Sequence, residues 1–123
     1  MEAIQIQKEK VIVIIAGGRD FIPNRNPLSW TVNLLKEIKA EEVVSGCAKG
    51  ADKFGEDVAK LLSLPIAKFP ADWDSYGKKA GHLRNEQMAR YANNVILFPG
   101  GRGTENMKTN AQRYKLKIFE YKE

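Results

Sequence analysis

VIVIIAGG, Val11 to Gly18, is an unbroken, largely β-branched apolar run that stops at two glycines. A strand reads this way when it is buried on both faces, as in parallel sheets covered by helices on either side. It is therefore read as the central strand. After a polar turn holding Pro23 and Pro27, the apolar residues Leu28, Val32, Leu35 and Ile38 recur at helical spacing. EEVVSG gives a short second strand ending at Gly46. CAKGAD then leads into a helix with the stripe Ala51, Phe54, Val58, Leu61 and Leu62. PIAKFPA, Pro65 to Ala71, is a third strand, started by one proline and stopped near another.

The stretch DWDSYGKKAG breaks all periodicity and reads as a loop. HLRNEQMARYA returns to helix and offers Leu83, Met88, Tyr91 and Ala92 to one face. NVILF, Asn94 to Phe98, is a fourth buried strand, the segment from Thr104 to Tyr114 a last helix (Met107, Ala111, Tyr114), and Lys117 to Tyr121 a closing strand. Strands alternating with helices require right-handed crossovers that cover the sheet. The expected fold class is thus α/β, a Rossmann-like three-layer sandwich with a mainly parallel sheet of about five strands.

The 123 residues fit a single domain, expected over 1–123, and 43% hydrophobic with 28% charged residues is an ordinary globular composition. Cys47 is the one cysteine, which excludes an internal disulfide and fits a reducing, cytoplasmic setting. No apolar run approaches the roughly 18 residues of a membrane span, and Met1 to Lys10 is too polar for a signal peptide. A net charge of +5 favours anionic partners without separating nucleic acid from a small phosphate ligand.

Sheets of this kind bind ligands beyond the carboxyl ends of the strands, and four strand ends carry suggestive sequence. In FPGGRGTENM, Pro99, Gly100, Gly101 and Gly103 let backbone N–H groups converge on an anion. The following helix adds partial positive charge, and Thr104 caps it or donates its hydroxyl. The alternative is a tight left-handed turn that binds nothing. In GGRDF, Gly17 and Gly18 end the central strand and Arg19 offers a fork to a phosphate or carboxylate, or else a surface ion pair with Asp20. In SGCAKGAD, Ser45 supplies a hydroxyl, Gly46 and Gly50 a close turn, and Asp52 a helix cap or a ligand contact. Arg84 is placed to neutralise a phosphate and Asn85 to read a base or ribose edge; a solvated helix face is the bland reading of Arg84. Trp73 and Tyr76 either stack a base as a partial lid or plug the sheet edge. His82 and Cys47 have no metal-ligand neighbours and are left out of the site, so no metal is expected.

Taken in order, AGGRDF, SGCAKGAD, FPADWDSYGKKAGHLRNEQMA and FPGGRGTENM, spanning Ala16 to Met107, resemble the SLOG superfamily of Rossmann-like nucleotide-binding domains. The likeness is closest to its YspA/YpsA-related branch of small stand-alone proteins. The resemblance implies a pocket for a nucleotide or nucleotide-derived ligand, no separate cofactor, and a homodimer paired through helices. LOG-type phosphoribohydrolases look similar across the arginine helix and glycine turn, but where their motif carries a catalytic glutamate this chain has Met107, which cannot act as a general base. Glu105, two residues earlier on the same helix, points elsewhere, and Glu86, two residues from Arg84, faces a different way from it. SGCAKGAD also resembles the equivalent turn of the DNA-processing A proteins, which bind single-stranded DNA. Three expectations follow: a binder that senses, carries or sequesters a nucleotide, a nucleoside monophosphate hydrolase, or a single-strand binder.

Overall fold

The computed structural model describes residues 9–122; the N-terminal stretch read against a signal peptide lies, over residues 1–8, outside them. Five strands form one parallel sheet: β1 (Ile12–Ala16), β2 (Glu42–Ser45), β3 (Ile66–Lys68), β4 (Asn94–Leu97) and β5 (Lys117–Glu120), in the order β3-β2-β1-β4-β5. The run read as the central strand indeed supplies the middle one, over Ile12–Ala16. Val13 pairs in register with Val43 on one side and Asn94 on the other.

Alternation along β1 builds two cores. Val13 and Ile15 pack with Leu35 of α1 (Arg25–Glu37) and with Phe54, Val58 and Ala59 of α2 (Ala51–Leu61). Ile14 and Ala16 face the opposite layer, meeting Met88 and Ala89 of α4 (Ala80–Tyr91) and Met107 and Ala111 of α5 (Arg102–Arg113). Helices therefore cover both faces, which is why β1 tolerates no polar position. Among the described residues no helix is long and apolar enough to cross a membrane.

Several local readings need correction. DWDSYGKKAG is not a loop: α3 (Trp73–Tyr76) and a single 3₁₀ turn (Gly77–Lys79) occupy it, started by Asp72, whose carboxylate accepts from the Ser75 N–H at 3.1 Å. A cap of this type nucleates a turn without any apolar stripe. The first helix begins at Arg25, where the Asn24 side chain accepts from the Asn26 N–H, and Pro27 sits inside its first turn, where the missing N–H costs nothing. The inward face of α4 is Ala80, Asn85, Met88 and Ala89, with Ala92 just beyond its end. Leu83 is exposed, and Tyr91, though 44% exposed, packs its ring on Phe69 and donates its hydroxyl to Glu42 Oε1 at 2.7 Å. Leu61, assigned to the α2 stripe, is 65% exposed. The last helix starts two residues before Thr104, so Thr104 is not its cap.

Candidate functional site

Between β1 and β4 the strand order reverses, and the two glycine turns that leave these strands meet there. The Gly18 N–H donates to the Pro99 carbonyl at 2.9 Å, and a Cβ on Gly18 would stand 2.9 Å from that same oxygen. On Gly100 it would collide with Thr104 Oγ1 and approach Gly18 N to 2.6 Å. These two glycines are therefore required by mutual backbone contact, and Gly17, against Ala51 and Phe98, by the same crowding. Gly101 and Gly103 differ. Nothing lies within 4 Å of a Cβ built on either, and both line a cleft. Gly101 has φ −99°, so a left-handed turn is not why glycine stands there. Its openness leaves the N-terminal amides of α5 approachable.

The β2–α2 turn is braced from within. Gly50 adopts φ +71°, and its neighbour Ala51 donates its N–H to the Gly18 carbonyl at 3.1 Å, which ties this turn to the β1 turn. Asp52 neither caps α2, whose cap position is Gly50, nor points free: its Oδ2 accepts from the Ala48 N–H at 3.1 Å. Burial pushes its carboxyl above the usual range, with Glu56 adding to the rise and the Ala48 bond and the Arg84 and Arg19 charges opposing it. Ser45 is buried, its hydroxyl donating to Glu56 Oε2 at 2.6 Å and accepting from the Cys47 N–H at 3.0 Å. It holds the strand end and offers no free hydroxyl.

Arg84, at mid-α4, donates from Nη1 to the Gly46 carbonyl and from Nε to Asn85 Oδ1 at 3.0 Å, and forms no ion pair among the described residues. Burial lowers its pKa and the charge of Asp52 resists that, leaving the guanidinium half-buried and charged. Asn85 is not available to read a base. It is 5% exposed, and its Nδ2 donates to the Gly103 carbonyl at 3.2 Å and to Asn106 Oδ1 at 3.0 Å. One side chain thus fixes both Arg84 and the glycine turn. Asn85→Asp removes both donors and sets a carboxylate against two acceptors, so a loss of about 1–3 kcal/mol is expected. Urea denaturation should show a lower midpoint at unchanged slope.

The cleft has two lobes. The smaller, about 350 Å³, runs from Gly17 and Gly18 past Asp52, Asn85, Gly101, Gly103 and Thr104, with Met88 and Met107 in its wall. The larger, about 500 Å³, lies over the β2 turn and includes Gly46, Cys47, Lys49, Pro70 and Ala71. Arg19, Ala48, Trp73 and Arg84 border both. Trp73 is half exposed, so it does not plug the sheet edge; Tyr76, also exposed, lines neither lobe. Pro99 and Gly100 lie on the outer side of the turn. Lys49 and Lys78 enter the lining unanticipated, though both stood in the motifs. Asn106 and Glu56 were missed because their partners lie 21 and 11 residues away, beyond any local pattern.

The chain is 36% identical over 87 residues to the Gene 61 protein of Mycobacterium phage D29, a match covering 64% of this chain and 70% of that protein. No protein-family model matches it. The X-ray structure of TM1055, a structural-genomics target, superposes with a TM-score of 0.63 at 16% identity, covering 89% of this chain and 72% of that one. At that identity the likeness is one of fold, and it agrees with the α/β three-layer arrangement.

Proposed function

The chain belongs to the family of the Gene 61 protein of Mycobacterium phage D29, and from that premise we propose that it is a SLOG-type domain of the YspA/YpsA-related kind. In this reading it holds a nucleotide or nucleotide-derived ligand in the switch-point cleft, to sense, carry or sequester it. One observation carries the reading: the open faces of Gly101 and Gly103 at the N-terminus of α5, set in the same lobe as the Arg84 guanidinium. Approachable amides, a helix dipole and a charged fork around one small cavity suit a phosphate.

The lobe is poorly equipped for base release. Met107 is 1% exposed in its wall, Glu86 accepts from the Tyr114 hydroxyl at 2.8 Å, and Glu105 borders a different depression, beside β5. Among the described residues Asp52 is the one carboxylate lining the smaller lobe, and its Oδ2 is already bound. Incubation with a panel of nucleoside monophosphates should therefore release no free base above the protein-free control. Multiple turnovers, lost in Asp52→Asn, would assign the hydrolase function instead. Single-strand binding finds less support: among the described residues the lobes are lined by one Trp, Trp73, and no Phe or Tyr, whereas such binders repeat stacking platforms along a groove.

A further inference from the structure

A nucleoside monophosphate seated on the glycine turn leaves the larger lobe without an occupant. The smaller lobe, at about 350 Å³, is already within the size range of small-ligand sites. The larger lobe opens from the same waist, and its lining is of another character: Lys49 and Arg19 against the single carboxylate Asp20, beside Pro70, Ala71 and the half-exposed ring of Trp73. At the waist stand two guanidinium groups, Arg19 and Arg84. Neither meets a carboxylate within 4.0 Å among the described residues. Like charges held on the walls of one cleft repel, and Arg84 is half-buried as well. The Asp52 carboxylate, in the same lobe, offsets both charges in part, but its Oδ2 accepts from the Ala48 N–H and it forms no ion pair with either arginine, so an anion lying between the two guanidinium groups is strongly favoured.

Both cations border both lobes, so a ligand that runs through the waist can meet them with two separate anionic groups. We infer that the ligand is a nucleoside diphosphate bearing a second group. One phosphate sits on the Gly101–Gly103 turn beside Arg84, the other at the waist between Arg84 and Arg19, and the second group lies in the larger lobe against Trp73. The inference rests on the nucleotide-binding reading given above and adds to it the length of the ligand. Asp20 and Lys49 are placed for hydroxyls or a further polar group at the far end, and the planar indole for an apolar or sugar face.

Calorimetric titration of the full chain tests this, with orthophosphate and pyrophosphate as base-free probes. AMP, ADP and ADP-glucose, and the corresponding uridine and guanosine series, complete the set. Pyrophosphate should bind at least about tenfold more tightly than orthophosphate, and in at least one series the sugar conjugate about thirtyfold more tightly than its monophosphate. Arg19→Ala and Trp73→Ala should each cut that conjugate-to-monophosphate ratio below about threefold. A monophosphate that binds as tightly as its conjugates would overturn the two-lobe ligand while leaving the nucleotide reading in place. Absence of binding by every probe would overturn both.

Discussion

Arg84→Ala is expected to weaken nucleotide binding ten- to a hundredfold while barely changing the affinity of the matching nucleoside. The guanidinium already spends Nε on Asn85 and one Nη1 proton on the Gly46 carbonyl. Its remaining donors, on a half-buried group that forms no ion pair among the described residues, border the cleft. A charge-assisted bond to phosphate contributes about 1.5–3 kcal/mol, which is the stated loss in affinity. Lysine should restore only part of it, because a point charge cannot bond Gly46, Asn85 and a phosphate at once in one plane. The Gly46 carbonyl left behind is close enough to the cleft for water to reach, so the variant should stay folded. Equal losses for nucleotide and nucleoside, read by calorimetry, would mean that Arg84 serves only to clamp α4 to the β2 turn.

Gly50→Ala should be the most damaging small substitution to the fold. With φ at +71°, any L-residue is strained there, by about 1–2 kcal/mol. The new Cβ would also land on the Gly18 carbonyl and 2.5 Å from that of Arg19, neither of which can rotate away. Overpacking against fixed backbone adds about 1–3 kcal/mol. The β1 and β2 turns would have to separate, breaking the Ala51 N–H bond to Gly18. The expected result is a melting temperature lower by roughly 10 °C or more, and weaker ligand binding with it. Cys47, which also holds a positive φ, makes a useful contrast: Cys47→Gly relaxes the backbone and should leave stability unchanged or raised.

Much of this was legible in the sequence, and the boundary is instructive. Val11 to Ala16 could only be a strand buried on two faces, and the strand–helix alternation carried the parallel sheet with it. Strand order was not legible, since nothing local says that β4 returns to the far side of β1. The short α3 was missed because four residues cannot show a helical period; its signal was the Asp72 to Ser75 cap. Leu83 stands five residues from Met88, about 140° round the helix, and is exposed, while Tyr91, three residues beyond Met88, packs on Phe69 at the sheet edge. The helix α4 turns Ala80, Asn85 and Met88 inward and brings Arg84 and Asn85 to the cleft.

The glycine turns stood out as candidates, but their glycines do different work. Gly18 and Gly100 are small so that two backbones can touch, Gly50 for its dihedral, and Gly101 and Gly103 to leave space open. Composition cannot separate these roles; they depend on what stands opposite each Cα. In the same way Ser45 and Asn85 looked like ligand contacts from their residue types, and it is Glu56 and the Gly103 carbonyl, supplied by other elements, that occupy them.

The most direct measurement is a ¹H–¹⁵N NMR titration of the protein with the nucleotide panel. With a phosphate on the α5 turn, the amide signals of Gly18, Gly101, Arg102 and Gly103 and the side-chain signals of Arg84 should move first and furthest, and these shifts should vanish in Gly101→Val, whose side chain would fill the open face of the turn while the remaining spectrum stays that of a folded protein. Shifts confined instead to the depression beside β5 that Glu105 borders, or unchanged shifts in Gly101→Val, would rule out phosphate binding at this turn.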